Sequence, residues 1–423
     1  MTTQKRALLA LCILGSTMYL AGGITTPSIA YIIDSYPNVS ADFVSMLITI
    51  PGIVALIVSF FIGPLMLRYN KKYLLIISVS ITLVYFGIFS TVGGKGPFFA
   101  LVIAAGLIGV HRGAGSAIVN STIGEFMEPE NRATSLALCS SMMQAGGGVA
   151  AIFGGFIAAG NDGADWPIAH FIGLISVVTL ILFAILMPKK PDTPKSSALQ
   201  SSGGGLQSDS DTSDTVSDKK LSAISIIKRD MRKISPRVYL IMALHFGFVA
   251  CMIAFPLYTS VYIISEHQLG SSVEAGLVTT TNTLFSVLVG LTYRYWGRIF
   301  GKWIVPVGYL VSAIGFIVKF SITSHIAGIW VAGALVGIGW NLANPYVSSQ
   351  VMTLSPQKIM PFSISIHLGF QNLAFFLAPF VLRLFGRLFG GGLSGSLMVV
   401  IVGLILCVGA AVSLFSRSEM KKL

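Results

Sequence analysis

Apolar residues run through this chain in long blocks, and polar residues collect in the short gaps between them. A helix needs about 20 mainly apolar residues to cross a hydrocarbon core. Twelve blocks reach that length. They lie near 7–33, 43–66, 73–93, 97–124, 134–160 and 167–187 in the first half, and near 236–265, 272–294, 303–322, 326–350, 361–385 and 394–416 in the second. Lipid admits only helices and closed barrels, and these runs are far too long for barrel strands. The pattern predicts an all-α membrane protein with twelve transmembrane helices, here called spans one to twelve.

One gap differs in kind. Residues 188–235 are rich in Gly, Ser and Asp without apolar periodicity, so this segment cannot bury enough surface to fold alone. It predicts a flexible cytoplasmic loop between a six-helix bundle at 1–187 and a second at 236–423. The basic segment Lys228–Lys233 at its end reads as an anchor at the lipid surface.

Composition excludes a soluble domain. Of 423 residues 54% are hydrophobic and 10% charged, against about 25% charged in soluble proteins, and the mean hydropathy is +0.81. The net charge of +12 comes from residues that flank the apolar runs. It therefore speaks for orientation in a membrane and not for nucleic acid. With Lys5, Arg6, Arg68, Lys71, Lys72, Arg132, Arg294, Arg298, Lys302, Lys358 and Arg417 on one side, only Lys95, Arg383 and Arg387 remain on the other. That bias predicts cytoplasmic N- and C-termini in a multi-pass protein of the cell membrane, with a bacterial inner (plasma) membrane as the expected location. The first apolar run is too long for a cleaved leader and is expected to stay as span one. Cys12, Cys139, Cys251 and Cys407 all fall within apolar runs and read as small buried residues.

Against this background the polar residues inside spans stand out. Span four carries Arg112, Ser116 and Asn120 four residues apart, which places them on one helix face. Arg112 lies about 21 Å along the helix from Phe98, in the middle of a core about 30 Å thick. The only other interior cation is Lys319, close enough to the outer end to snorkel; no Asp or Glu lies deep in any span. A lone interior cation suits a negatively charged solute, or is satisfied by carbonyls of neighbouring helices. Both alternatives stand at this point.

Further polar candidates follow the same logic. His111 and Arg112 are candidates for a coupling proton. Trp340, Asn341 and Asn344 of span ten precede Pro345, which can kink the helix and free carbonyls. Tyr19 and Thr26 sit in a small, polar part of span one before Pro27. His245 lies in span seven, and His367 and Gln371 share a face of span eleven. Such amide and imidazole groups either contact a solute or join helices. The glycines of span five, Gly146 to Gly148, Gly154 and Gly155, permit close helix approach.

A weak internal repeat supports duplication. Gly63 to Lys72 follows span two, and Gly290 to Arg298 follows span eight; each runs from a glycine to an aromatic and basic turn. Twelve spans divided six and six around a long central loop resemble the major facilitator superfamily of secondary transporters. The turn at Gly63 resembles the family's G-x-x-x-D-R-x-G-R-K/R signature, with Gly63, Arg68, Lys71 and Lys72 in place. Leu67 stands where the family has Asp, and Asn70 where it has Gly. Arg112 resembles the family's helix-four arginine, and Gly146 to Gly155 its antiporter glycine signature, with Ala150-Ala151 replacing Gly-Pro.

The resemblance implies two pseudo-symmetric six-helix bundles around a cavity lined by spans one, four, seven and ten. It also implies gating roles for Gly63, Arg68, Lys71, Lys72, Gly290, Arg294 and Arg298, and a chain able to work as a monomer in the lipid bilayer. Because the usual latch uses the missing Asp, Leu67 implies a different charge network. The expected function is secondary active transport of a small organic anion, with a proton as candidate coupling ion in symport. A multidrug or sugar exporter, and a non-transporting membrane sensor, are the alternatives. No phosphate-cradling loop, metal-ligand spacing or nucleophile beside a base occurs, so neither an enzyme nor a cofactor is expected.

Overall fold

The computed structural model describes residues 2–39, 41–158, 164–188, 234–270 and 272–416. The expected flexible loop, apart from its first and last residues, lies outside the described residues, as do Lys228–Lys233 and Arg417. Every regular element described is helical. Eleven stretches are long and apolar enough to span a membrane. Span eight, Ser272–Leu291, is the twelfth. Its run Thr279–Thr283 dilutes the apolar character without interrupting the helix, because each threonine hydroxyl is absorbed by a carbonyl one turn back, as Thr279 Oγ1 is by Ala275 O at 3.0 Å.

Kinks fall where the backbone is perturbed. Span one divides at Tyr19, between Thr3–Met18 and Leu20–Ser35. Just before the break, Ser16 and Thr17 donate to the carbonyls of Ile13 (2.7 Å) and Leu14 (3.0 Å), three residues back, which tightens and bends the turn. Span seven breaks at Ile253, between Pro236–Met252 and Ala254–Val261. Pro256 supplies the cause, since it can neither donate to Met252 O nor fit beneath it. A wide turn, Tyr262–Glu266, follows. Span ten runs as one helix from Ile326 to Leu354 with Pro345 inside it, so the proline withholds its bond from Asn341 O without ending the helix.

Basic residues gather at one end. There Arg6 donates to Ile185 O (3.0 Å), and Lys72 Nζ caps span six at the carbonyls of Ala184 (2.5 Å) and Met187 (3.2 Å). Lys302 Nζ reaches Ser416 O at 3.5 Å. Lys71 Nζ bonds Glu125 Oε1 and Ser121 Oγ, each at 2.5 Å, and ties span three to span four. This end is called the basic end below.

Spans one and five approach at backbone distance. Gly146 lies on the Ser16 backbone, Gly147 on Tyr19 and Gly154 on Ile24. Between the first six spans and the last six, two seams close the basic end, and they correspond under the repeat. At one, Gly63 of span two accepts the Phe362 ring and Ser365 of span eleven, and Ser365 Oγ donates to Ser59 O. At the other, Gly290 of span eight faces Ser141 of span five. There Asn341 Nδ2 donates to Ser141 Oγ (3.1 Å) and to Ser286 O (2.5 Å), and Ser141 Oγ reaches Val287 O at 3.4 Å. A Cβ on Gly290 would overlap both the Ser141 hydroxyl and the Asn341 amide. Gly63 and Gly290, matched by sequence repeat alone, thus sit at equivalent seams. Between the seams, Gly124 at the end of span four packs on the thioethers of Met352 and Met360.

Candidate functional site

Span four, Phe98–Phe126, brings its polar stripe to the interior. From Gly113 to Ile123 only Ser116 and Asn120 are partly accessible, and Arg112 one turn earlier continues the row. Small neighbours explain the close packing around it: Gly109 lies on Pro51 and Gly113 on Ala55, both of span two. Asn120 Nδ2 bonds Ser116 O at 2.8 Å. The Arg112 guanidinium lies 4.0 Å over the ring of Phe375 on span eleven. It makes no hydrogen bond or ion pair with a described residue, and Tyr19 of span one is within electrostatic reach. Tyr19 keeps 37% of its surface accessible at the helix break, and Thr26 further along is half-buried. Among the described residues, then, no carbonyl takes up the Arg112 guanidinium. One face of the guanidinium is covered, while its N–H edges remain for another acceptor.

His111 turns the other way. It is 3% exposed, and its Nδ1 lies 3.0 Å from Ser78 Oγ on span three. It joins spans three and four and does not share the Arg112 stripe.

The second half contributes a hydrogen-bonded row. His245 of span seven has Tyr309 Oη at 3.1 Å from Nδ1 and Asn344 Oδ1 at 3.1 Å from Nε2. Gln371 Nε2 donates to Asn344 Oδ1 (3.2 Å) and meets His367 Nε2 at 3.0 Å. The two imidazoles stack with centroids 5.4 Å apart. Trp340 lies 6.4 Å from the His245 ring, and Phe248 stacks on Tyr309 at 3.9 Å. Trp340 and Asn344 are partly accessible, whereas His245, His367 and Gln371 are buried.

The two rows meet in antiparallel register. His367, Gln371 and Phe375 are four residues apart on span eleven, and Phe375 carries the Arg112 stack. With about 1.5 Å rise per residue, Ser116 falls level with Gln371 and Asn120 with His367. The packing of Gly124 on Met360 fixes the same register at the basic end.

Asn341 departs from its expected place as a solute contact. It is fully buried in the seam with Ser141. Among the expected gating residues, Gly63 and Gly290 form the seams, and Lys71 and Lys72 tie spans of the first half to one another. Arg68, Arg294 and Arg298 are accessible at the basic end. Sequence reasoning missed Phe375, although its spacing from Gln371 placed it on the same stripe. It also missed Tyr309, which has no polar neighbours in sequence to mark it.

Lys319 corrects its expectation. It does not snorkel: it is fully buried, with Nζ 3.2 Å from Thr259 Oγ1 and 4.9 Å and 5.2 Å from the Phe255 and Tyr262 ring centres. Tyr262 returns a bond to Lys319 O at 2.7 Å, holding the outer part of span seven to span nine. An apolar residue often replaces a buried charge at no loss of stability or a gain of about 1–4 kcal/mol. Lys319→Met is therefore expected to raise the thermal midpoint of the purified protein by about 2–4 °C. A lowered midpoint would assign the ammonium a stabilising role.

The family model of the Major Facilitator Superfamily matches residues 11–379. No curated protein matches the sequence significantly. Among solved structures, the human organic anion transporter MFSD10 (TETRAN) superposes with a TM-score of 0.69 at 12% identity, over 98% of each chain. A transporter of the same superfamily, FucP, in the outward conformation, gives a TM-score of 0.69 at 12% identity, over 98% of this chain and 99% of its own.

Proposed function

Because the chain belongs to the major facilitator superfamily, we propose that it is a secondary active transporter that carries a small organic anion by alternating access. The observation that carries the anion is Arg112, an interior guanidinium with no carboxylate and no carbonyl acceptor among the described residues. A planar guanidinium with one face on an aromatic ring presents its N–H groups edge-on, the arrangement that takes a carboxylate through two parallel bonds. The accessible amides of Asn120 and Asn344 and the ring of Trp340 would meet the rest of the solute. The name of one structural neighbour, an organic anion transporter, accords with this reading.

Segments 1–187 and 236–423 act as the two rocking bodies, with 188–235 as their tether. The seams at Gly63 and Gly290 close the basic end. That end faces the cytoplasm, since basic residues are retained on that side. In the opposite state the seams part and the Arg112 site opens to the cytoplasm.

The test is a thermal-shift screen of purified protein against monocarboxylates, neutral sugars and organic cations. A ligand that binds only the folded state raises its stability by mass action, by about 2.7 kcal/mol at a hundred times Kd. Monocarboxylates are expected to stabilise the protein and the other classes not to. Stabilisation by cations or sugars alone would replace the reading with an exporter of those compounds.

A further inference from the structure

From the His245–Asn344–Gln371–His367 row we infer a proton-binding site whose occupancy is passed to the solute through Asn344. Asn344 Oδ1 can only accept, and it lies against both His245 Nε2 and Gln371 Nε2. His245 therefore carries its hydrogen on Nε2, and its Nδ1 accepts from the Tyr309 hydroxyl. Gln371 Nε2 also points its amide hydrogen at His367 Nε2, which must accept. The neutral His367 ring then carries its hydrogen on Nδ1, and that atom is buried without a partner. One turn back on the same face, Ser363 Oγ is also buried and unpartnered. A row fully satisfied at one end thus ends at an imidazole whose bonding is incomplete.

A proton added at His367 turns Nε2 into a donor. It then faces the Gln371 amine, so the amide must rotate to present its oxygen. That oxygen would oppose Asn344 Oδ1, so Asn344 rotates as well. His245 then loses its proton at Nε2 and takes one up at Nδ1, so that Nε2 accepts from Asn344 and Nδ1 donates to Tyr309 Oη, whose own hydrogen rotates off the ring. Each bond in the row survives with its polarity reversed. No covalent bond other than N–H forms or breaks, and the proton comes from water. In the unprotonated state the Nδ2 hydrogens of Asn344, which bond to no described residue, are offered to the accessible space. In the protonated state the carbonyl is offered instead. The solute therefore meets a donor or an acceptor according to the proton, and linkage makes the effect reciprocal.

The surroundings leave the pair as the place where charge can change. The rings are stacked, so both cannot be charged together. Span nine presents Tyr309, and span twelve presents Cys407 beside Gly247. Span ten offers Asn344 and Trp340, and span two has no ionisable side chain from Pro51 to Met66. Span four presents Arg112 two turns along span eleven, with Tyr19 of span one near it. No carboxylate of a described residue faces the pair.

This inference rests on the transporter reading for its purpose, but its test needs no solute. A charge within a ring stack perturbs the emission of an indole beside it; Trp340 lies 6.4 Å from the His245 ring, which in turn stacks on His367 at 5.4 Å. Tryptophan emission of the full chain in lipid nanodiscs is followed from about pH 8 to about pH 3.5, a window that reaches below the usual histidine range. The proton alone is the probe. A step in emission is expected that survives His170→Gln, the imidazole beside Trp166, and disappears in His367→Gln. Gln371→Leu, which removes the bond at His367 Nε2 and interrupts the row while leaving both imidazoles in the chain, is expected to move the midpoint by about one pH unit or more. A step unchanged in both His367→Gln and Gln371→Leu overturns the site, as does its absence from the unmodified chain. Should His367→Gln fail to fold, an unmoved midpoint in Gln371→Leu overturns it equally. A His367-dependent step in a protein that no anion stabilises would overturn the anion reading and leave this one standing.

Discussion

Arg112→Gln is expected to weaken the binding of monocarboxylates by roughly 100-fold, the effect of removing about 3 kcal/mol from a desolvated charge pair. Glutamine keeps a planar polar group near the Phe375 ring but loses the charge and the paired N–H edge. Arg112→Lys keeps the charge and loses the fork, and only part of the affinity should return. Folding is not the obstacle, since the guanidinium makes no bond whose loss would strand a described partner. The purified variant should unfold at the unmodified temperature or above. Titrating the thermal midpoint with a monocarboxylate measures both properties in one experiment. Equal stabilisation of Arg112→Gln and the unmodified protein would remove Arg112 from the site.

The second large effect is conformational. Gly290→Leu places a branched side chain where a single Cβ already overlaps Ser141 Oγ and Asn341 Nδ2. Overpacking of this kind costs about 1–3 kcal/mol, but only in the state with this seam closed. The open state gains by the same amount, a shift of roughly 5- to 150-fold in the equilibrium between them. Solute transport in liposomes should fall by a comparable factor, because the cycle must pass through the closed seam. A cysteine introduced by Ala137→Cys, beside Gly290, should at the same time react with a polar maleimide about ten-fold faster or more. If its reactivity stays the same while transport falls, the glycine serves folding and not closure.

Much of this was legible in the chain. Apolar run length located all twelve spans, because lipid leaves the backbone few options. The four-residue spacing of Arg112, Ser116 and Asn120 identified a true accessible stripe, since α-helical geometry alone decides which side chains share a face. Gly63 and Gly290, matched by the repeat, both lie where the two halves pack too closely for a larger residue. What could not be read was partnership between distant spans. Asn341 and Asn344 are three residues apart and look alike in sequence, yet one is spent in a seam and the other borders the accessible space. Nothing local distinguishes them, because the difference lies in which neighbour each meets. Lys319 misled for a related reason. Its distance from the helix end permitted snorkelling, but Thr259, Phe255 and Tyr262 of span seven enclose it. Pro345 lies within a continuous helix, whereas Pro256 follows a break at Ile253; which proline ends a helix depends on packing that the sequence does not display.

The seams bear on how a chain with Leu67 in place of the family's aspartate could still hold itself shut. A salt bridge works as a key in a lock, with one partner at one position. Ser365 instead bonds the main chain of span two, and Ser141 reaches the main chain of span eight. Carbonyls recur along every helix, with a turn of about 5.4 Å between equivalent positions. A hydroxyl that slips from one finds another of the same kind further along. Such a contact behaves as a detent: it holds at each stop and releases under a modest push. With glycine beneath it, little side-chain bulk stands between stops. Closure of this kind should depend weakly on salt, and a carboxylate restored by Leu67→Asp would turn the detent into a lock.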